Sequence, residues 1–318
     1  MNDKTNKQIM SNVDEYGFEK TKEENEIKSK YYEVLTKRSL RWNKVFPGQI
    51  IAGRRLNRFI RKGIPLNLRK KIWMKISGAQ RAFEHNMNLY QHLLKSQYQK
   101  EIVEVVKIDI PRTFPENIYF ETHHRALFNV LVAFAHQNKS IGYCQGLNYI
   151  GGLILIVTKD ENATFWLLKH LIENVASEYH TKTMFGLQRD IFVITEIIKM
   201  REPLINEKIN EIGLPWAVIL TKWLICLFAE VLPVETVLRI WDVMFAEGYK
   251  VIFRTAIAII LILKEDIMKT SDITELNELF RNVFTDPRMV NCHSFLQFMF
   301  TIKLRRRDIE DLRIRYSQ

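Results

Sequence analysis

Apolar residues in this chain recur at the period of a helix and nowhere at the period of a strand. Trp216, Ile219, Leu220, Trp223, Leu224, Leu227 and Phe228 form one stripe, with Pro215 just ahead of it, where a helix tolerates proline. Pro233 opens another, with Val234, Val237, Leu238, Trp241, Met244 and Phe245 on one face and Gly248 at its end. Leu127, Val130, Leu131 and Phe134 fall at the same spacing. So do Leu276, Leu279, Phe280, Val283 and Phe284, and then Phe295, Phe298, Met299 and Ile302. Such stripes are core by default, because a helix must bury its apolar face against something. With 47% hydrophobic residues, and only 12 Gly and 8 Pro in 318 residues, the chain has ample material for a core and few turns for a sheet protein. No internal repeat of fixed length is visible. The expected architecture is all-α: many helices packed in a single compact body.

Several classes of protein are disfavoured. The N-terminal stretch MNDKTNKQIMSNVDEYGFEK is polar, with no apolar core of a signal peptide. The longest apolar stretches fall well short of the roughly 20 residues that span a bilayer. Cys144, Cys226 and Cys292 are far apart and match no zinc spacing, so reduced thiols in a cytoplasmic protein are expected.

Charge is unevenly spread. The net charge is +11, and 14 basic residues lie between Lys37 and Arg81 with no acid between Glu33 and Glu84. Lys303 and Arg305, Arg306 and Arg307 form a second cluster. A solvated face is the commonest use of such a run. The sharper alternatives are an anionic membrane surface, met between Lys37 and Lys62, or an acidic protein partner. Nucleic acid is the weakest of them, for want of an aromatic-interleaved or glycine-rich RNA signature or a zinc finger.

The organisation expected is an N-terminal extension over residues 1–57, a helical domain over residues 58–305 and a basic tail over residues 306–318. Within the extension, residues 1–32 are mixed in charge, nearly lack apolar periodicity and are expected to be partly mobile, with Tyr16-Gly17-Phe18 able to dock on the body. Residues 31–46, with Leu35, Leu40, Trp42 and Val45, read as a helix that PGQIIAG breaks at Pro47 and Gly48.

Three segments could carry chemistry. In IDIPRTFPEN, Pro111 and Pro115 rule out a regular helix, and Pro111 biases Ile110 to an extended conformation. Arg112 is thus displayed on stiffened backbone, with Asp109 in reach of its guanidinium. A loop-capping Asp–Arg pair is the plainer alternative. In IGYCQGLNYIGG, the polar residues Cys144, Gln145 and Asn148 stand ahead of a long apolar run. Cys144 could be a nucleophile if a base such as His123, His124 or His136 lay beside it, but nothing in the sequence places one there. In RKGIPLNLRKKIWMKISGA, a Gly63-Ile64-Pro65 turn leads into an amphipathic helix with Leu68, Ile72, Trp73 and Ile76 inward.

Taken in order, RKGIP, DIPRTFPEN, GYCQGLNYI and LPVETVLRIWDVMFAEG, between residues 61 and 248, resemble the TBC domain family of Rab GTPase-activating proteins. The helical body would then continue to about residue 303. The family pattern Ile-x-x-Asp-x-x-Arg falls on Val106, Asp109 and Arg112, with Val in place of Ile. Its Tyr-x-Gln pattern falls on Tyr143 and Gln145. The resemblance implies that Arg112 is an arginine finger and Gln145 a glutamine finger, both inserted into the nucleotide site of a GTP-bound Rab. Asp109, Tyr143 and Asn148 would support them, and Cys144 would be a spacer. No cofactor of the chain's own is implied, since GTP and Mg²⁺ would be carried by the Rab. The alternative is a non-catalytic TBC module that holds a Rab without accelerating hydrolysis; family members lacking the Arg or the Gln fit that class, and the presence of both here favours the activator. The chemistry is consistent with that role. An arginine delivered in trans neutralises charge growing on the phosphate oxygens and is worth about 10³–10⁵ in rate, or about 4–7 kcal/mol of barrier. A glutamine amide offers an acceptor for the attacking water and a donor for the γ-phosphate. The same resemblance implies a role in vesicle trafficking, with a cytoplasmic location peripheral to endomembranes.

Overall fold

A computed structural model describes residues 13–20, 22–46 and 53–318. The break expected at Pro47 and Gly48 lies outside these residues, as do residues 1–12. Among the described residues every regular element is helical, apart from one isolated bridge between Val13 and Glu19. No helix among them is long and apolar enough to cross a membrane.

The centre of the body is the helix Leu147–Thr158, whose residues are buried on every side except at Tyr149. Its sequence, LNYIGGLILIVT, has no polar face to offer water. The helices Phe120–Gln137 and Glu161–His170 pack against it. Gly152 lets the chain after Arg112 come close: a Cβ there would lie 3.0 Å from the Thr113 methyl and 3.3 Å from the Phe114 ring. The C-terminal half is built on Phe185–Arg201, Trp216–Ile225, Val234–Glu247 and Lys250–Ile262. Val234–Glu247 starts after Pro233 and stops at Gly248, whose φ of 76° suits glycine.

A charged cluster joins the N-terminal segments to this half. The guanidinium of Arg69, 1% exposed, bonds Asp242 through Nε at 3.1 Å and Glu235 through Nη1 at 3.0 Å. Trp73 Nε1 and the Ile64 amide also donate to Asp242, at 2.8 and 3.1 Å. The Tyr16 hydroxyl donates to Glu235 at 2.6 Å. Burial pushes the Glu235 carboxyl up, but the charge and hydrogen bonds of Arg69 outweigh it and hold the group at about 2.

The segment Tyr16-Gly17-Phe18, read as able to dock, is docked: the Tyr16 carbonyl accepts from Asn117 Nδ2 at 3.1 Å, and Ile118 N donates to Gly17 O at 3.1 Å. Other expectations are corrected. The helix expected over residues 31–46 begins much earlier, at Lys22. Its Leu40 is 65% exposed, because the face it shares with Asn43 and Lys44 turns outward while Trp42 is fully buried. The basic tail is the helix Arg306–Ser317, with Ile309 and Leu312 buried at i, i+3 spacing. Arg313 anchors it to the buried Asp190 at 2.6 Å. Phe284 and Phe298, read as core, are 42% and 37% exposed; Phe284 lies in a 3₁₀ turn, Asn282–Thr285, where the helical stripe no longer holds. The stripe from Trp216 also stops early, at Ile225, and Leu227 and Phe228 adopt left-handed φ of 48° and 68°. Burial of Phe228 and the bond from Trp241 Nε1 to Leu227 O, 2.9 Å, hold that turn.

Candidate functional site

Two loops meet at the N-terminal end of the central helix. The first follows the helix Lys100–Asp109. Ile110 continues that helix, with φ −53° and ψ −53°, so the extended conformation expected ahead of Pro111 is not adopted. Burial of Ile110 and the bond from Thr113 Oγ1 to Asp109 O, 2.8 Å, offset the pre-proline penalty. A single 3₁₀ turn, Ile110–Arg112, then presents Arg112 to solvent. The second loop, residues 138–146, turns through Gly142 and Gly146, with φ of 64° and 104°. It places Gln145 at the surface directly ahead of the buried helix.

The expected Asp109–Arg112 pair is not formed. Asp109 instead accepts from the Tyr143 hydroxyl at 2.7 Å, which ties the first loop to the second. Two more bonds tie the first loop to the start of the central helix. Asn148 Nδ2 donates to Thr113 Oγ1 at 2.8 Å while its Oδ1 accepts from Gly146 N at 3.1 Å. Tyr149 Oη donates to Arg112 O at 3.3 Å. Asn148 and Thr113 are fully buried, so these bonds are shielded from competing water. Among the described residues the Arg112 guanidinium and the Gln145 amide have no hydrogen-bond or ion-pair partner. The loops are held by their neighbours, and the two tips are left free.

The second loop is braced from behind. His180 Nε2 lies 2.7 Å from Ile225 O, the carbonyl left free where its helix ends. That oxygen would be 3.1 Å from a Cβ at Gly146, so glycine is needed there for space as well as for φ. Burial pushes the His180 imidazole down to about 4 despite this bond, so it is neutral and donates from Nε2.

Cys144 is partly buried against the core, and its thiol donates to the Gln145 carbonyl at 3.5 Å. Burial and the Asp109 charge push its pKa up, the wrong direction for a nucleophile. None of the candidate bases stands beside it: His123 bonds Tyr119 O, His124 stacks on Phe120 and His136 meets the Tyr98 ring. No group of three or more His, Cys, Asp or Glu among the described residues is placed to hold a metal ion.

The sequence motifs thus converge on one site, with Arg112, Gln145, Asp109, Tyr143 and Asn148 together. Thr113, Tyr149 and His180 were not singled out from sequence. Thr113 adjoins Arg112 and Tyr149 stands four residues after Gln145, which is a weak signal in each case. His180 carries none, since only folding brings it beneath Gly146.

A family model described as the Rab-GTPase-TBC domain matches residues 66–268. Growth hormone-regulated TBC protein 1-A of Danio rerio is 38% identical over 308 residues, covering 93% of this chain and 86% of that protein. Growth hormone-regulated TBC protein 1 of Homo sapiens is 34% identical over 300 residues, 91% of this chain and 89% of its own. The crystal structure of the Chlamydomonas flagellar RabGAP TBC domain superposes with a TM-score of 0.79 at 27% identity, covering 91% of this chain and 98% of that one.

Proposed function

The chain belongs to the Rab-GTPase-TBC domain family, and from that footing we propose that it accelerates GTP hydrolysis by a Rab small GTPase. Arg112 and Gln145 act on the Rab's nucleotide, and this chain supplies no nucleotide, metal or cofactor of its own. The observation that carries this reading is the pair of exposed side chains, unpartnered among the described residues, on two loops held by Tyr143 to each other and by Asn148 and Tyr149 to the start of the central helix. A guanidinium already paired with Asp109 would have to be released before it could reach a phosphate; this one is free. When the Rab docks, Arg112 neutralises charge developing between the β- and γ-phosphates, and the Gln145 amide holds the attacking water and touches the γ-phosphate. Both tasks are electrostatic and positional, so neither needs a pKa near neutrality. Asp109, Tyr143 and Asn148 set the spacing between the loops.

Single-turnover GTP hydrolysis across a panel of Rabs tests this. At least one Rab should be accelerated by about 10³-fold or more. Binding to GTP-loaded Rabs without acceleration of any of them would make the chain a Rab-holding module instead. A Rab whose own switch glutamine is changed to leucine should still respond, because Gln145 acts in its place. We place the protein in the cytoplasm, in vesicle trafficking, with the basic residues from Lys37 to Lys62 in peripheral contact with anionic endomembrane.

A further inference from the structure

The loop that carries Arg112 has a further neighbour, far ahead of it in the chain. Residues 13–19 form a turn closed on itself: Asp14 Oδ1 accepts from the amides of Tyr16 and Phe18, both at 2.9 Å, and Asp14 N donates to Phe18 O at 2.8 Å. An aspartate bonded to the backbone beyond it holds a turn without help from a strand or helix. We propose that this turn is a strap that positions Arg112, with Phe18 as the positioning residue, so that the rate of Rab-GTP hydrolysis depends on a segment outside both loops. The inference rests on the finger role proposed for Arg112.

The strap is fixed on two sides. On one, the Tyr16 hydroxyl enters the buried charged cluster and donates to Glu235 at 2.6 Å. On the other, the strap lies along residues 114–118, the stretch that leads away from Arg112. Asn117, 1% exposed, gives its Nδ2 to Tyr16 O at 3.1 Å, and Ile118 N donates to Gly17 O at 3.1 Å. Gly17 has a φ of 92°, and a Cβ there would lie 3.0 Å from both Asn117 Oδ1 and Ile118 Cγ1. The two backbones are therefore as close as glycine allows. The Phe18 ring meets Phe114 edge to face, with centroids 5.3 Å apart.

Phe114 is the residue that needs holding. Its φ of 49° lies in the left-handed region, which a side chain with a Cβ occupies only where its surroundings impose it. It stands two residues after Arg112. Its ring is packed by Phe18, by Tyr149 edge to face at 5.4 Å, and by Phe120 at 6.4 Å. Tyr149 and Phe120 come from the helical body; Phe18 comes from the strap. Tyr149 also bonds Arg112 O, so Phe114 and the Arg112 backbone share a support as well as a chain. Without Phe18 the strained residue loses one wall of its packing. If the strap leaves, the buried Asn117 Nδ2 also loses its acceptor. A finger works only when its guanidinium is placed closely against the phosphate oxygens. The strap lies ahead of residues 66–268, the part that the family model matches, so the matched domain's own loop is completed from outside it.

The experiment uses the full chain with Phe18→Ala, Phe18→Leu and Gly17→Ala, beside Ile309→Ala, which truncates a buried residue of the tail helix. Single-turnover hydrolysis by a responsive Rab is measured over a range of activator concentrations. Amide hydrogen exchange across residues 110–119 is followed without a Rab. Phe18→Ala and Gly17→Ala should lower the saturated rate by about 10–100-fold, the scale of a catalytic group misplaced by about 1 Å. The half-saturating concentration should stay within about twofold of the parent. Exchange across residues 110–119 should quicken in both variants. Phe18→Leu, which refills most of the space, should recover most of the rate. Ile309→Ala should lower the melting temperature at least as far as Phe18→Ala and keep the parental saturated rate. A parental saturated rate in Phe18→Ala or Gly17→Ala would overturn the proposal. So would a rise in half-saturating concentration alone, which would make the strap part of the Rab-docking surface. An equal loss of rate in Ile309→Ala would overturn it too, in favour of general loosening of the fold. Should the parent accelerate no Rab, the finger role fails by itself and exchange decides the strap. Faster exchange confined to residues 110–119 then supports its hold on the loop, and parental exchange overturns it.

Discussion

Arg69 and Arg112 are both arginines set beside acidic residues in the sequence or the fold, and the structure uses them in opposite ways. Arg69 is 1% exposed and engages two carboxylates. Arg112 is exposed, and the nearby carboxylate of Asp109 is turned to Tyr143 instead. A paired, buried charge holds segments together and has nothing left to offer a partner. A free charge on a braced loop adds little to the fold and keeps its full field for another molecule. The comparison teaches that the bracing and the displayed charge are separable, and that each can be broken alone.

The largest separation is expected at Arg112. Arg112→Ala should lose about 10³–10⁵ of the acceleration of Rab-GTP hydrolysis, while thermal unfolding stays within error of the parent. Arg112→Lys should fail as well, since an ammonium cannot reproduce the planar fork. Near-parental turnover by either variant would remove Arg112 from the chemistry. Arg69→Ala should do the reverse. It strands Glu235 and Asp242 in the interior and should cost about 3–5 kcal/mol in chemical denaturation. A well-folded Arg69→Ala protein would mean that the cluster is not what joins the segments.

Between these lies the brace behind Gly146. The folded His180 stays neutral down to about 4, against an ordinary value of 6.5, whereas the unfolded chain takes up a proton below 6.5. Its contribution is therefore full above pH 6.5 and is lost as pH falls towards 4, by up to about 3 kcal/mol. His170 and His293, also pushed down by burial, act in the same direction. The informative quantity is thus the difference from His180→Gln, which keeps a donor for Ile225 O but cannot titrate. That variant should show a visibly flatter fall in melting temperature over this window. Identical pH profiles would exclude His180 as the titrating brace.

Smaller effects should follow at the ties themselves. Tyr143→Phe leaves the Asp109 carboxylate, 7% exposed, without its hydroxyl donor, at a cost of about 1–3 kcal/mol. A double-mutant cycle with Asp109→Ala should give a coupling of about 1 kcal/mol, and turnover should drop although both fingers are present. Cys144→Ser should change turnover little, since the thiol's hydrogen bond goes to the neighbouring Gln145 carbonyl, which a hydroxyl can also reach. Loss of activity in that variant would revive a role for the sulfur.

The all-helical class was legible in the chain because burial of an apolar stripe depends on residue spacing alone, and the stripes around Val237 and Leu131 need no partner to be seen. Arg112 and Gln145 could be singled out as candidates too, because their neighbours form the short contiguous patterns that carry the family resemblance. What spacing could not reveal is which side chain answers which. Asp109 is three residues from Arg112 and 34 from Tyr143, yet the distant tyrosine takes the bond. The early stop at Ile225, the partners of the docked Tyr16 and the helix made by the tail were hidden for the same reason. Each is decided by a contact far along the chain: Trp241 with Leu227, Tyr16 with Glu235, Arg313 with Asp190. The positive run between Lys37 and Lys62 was plain in the sequence. Only packing of the helices Lys22–Val45 and Arg54–Lys62 against Cys292–Thr301 turned it from a stripe into a cleft, because concavity belongs to the arrangement of elements and not to any one of them.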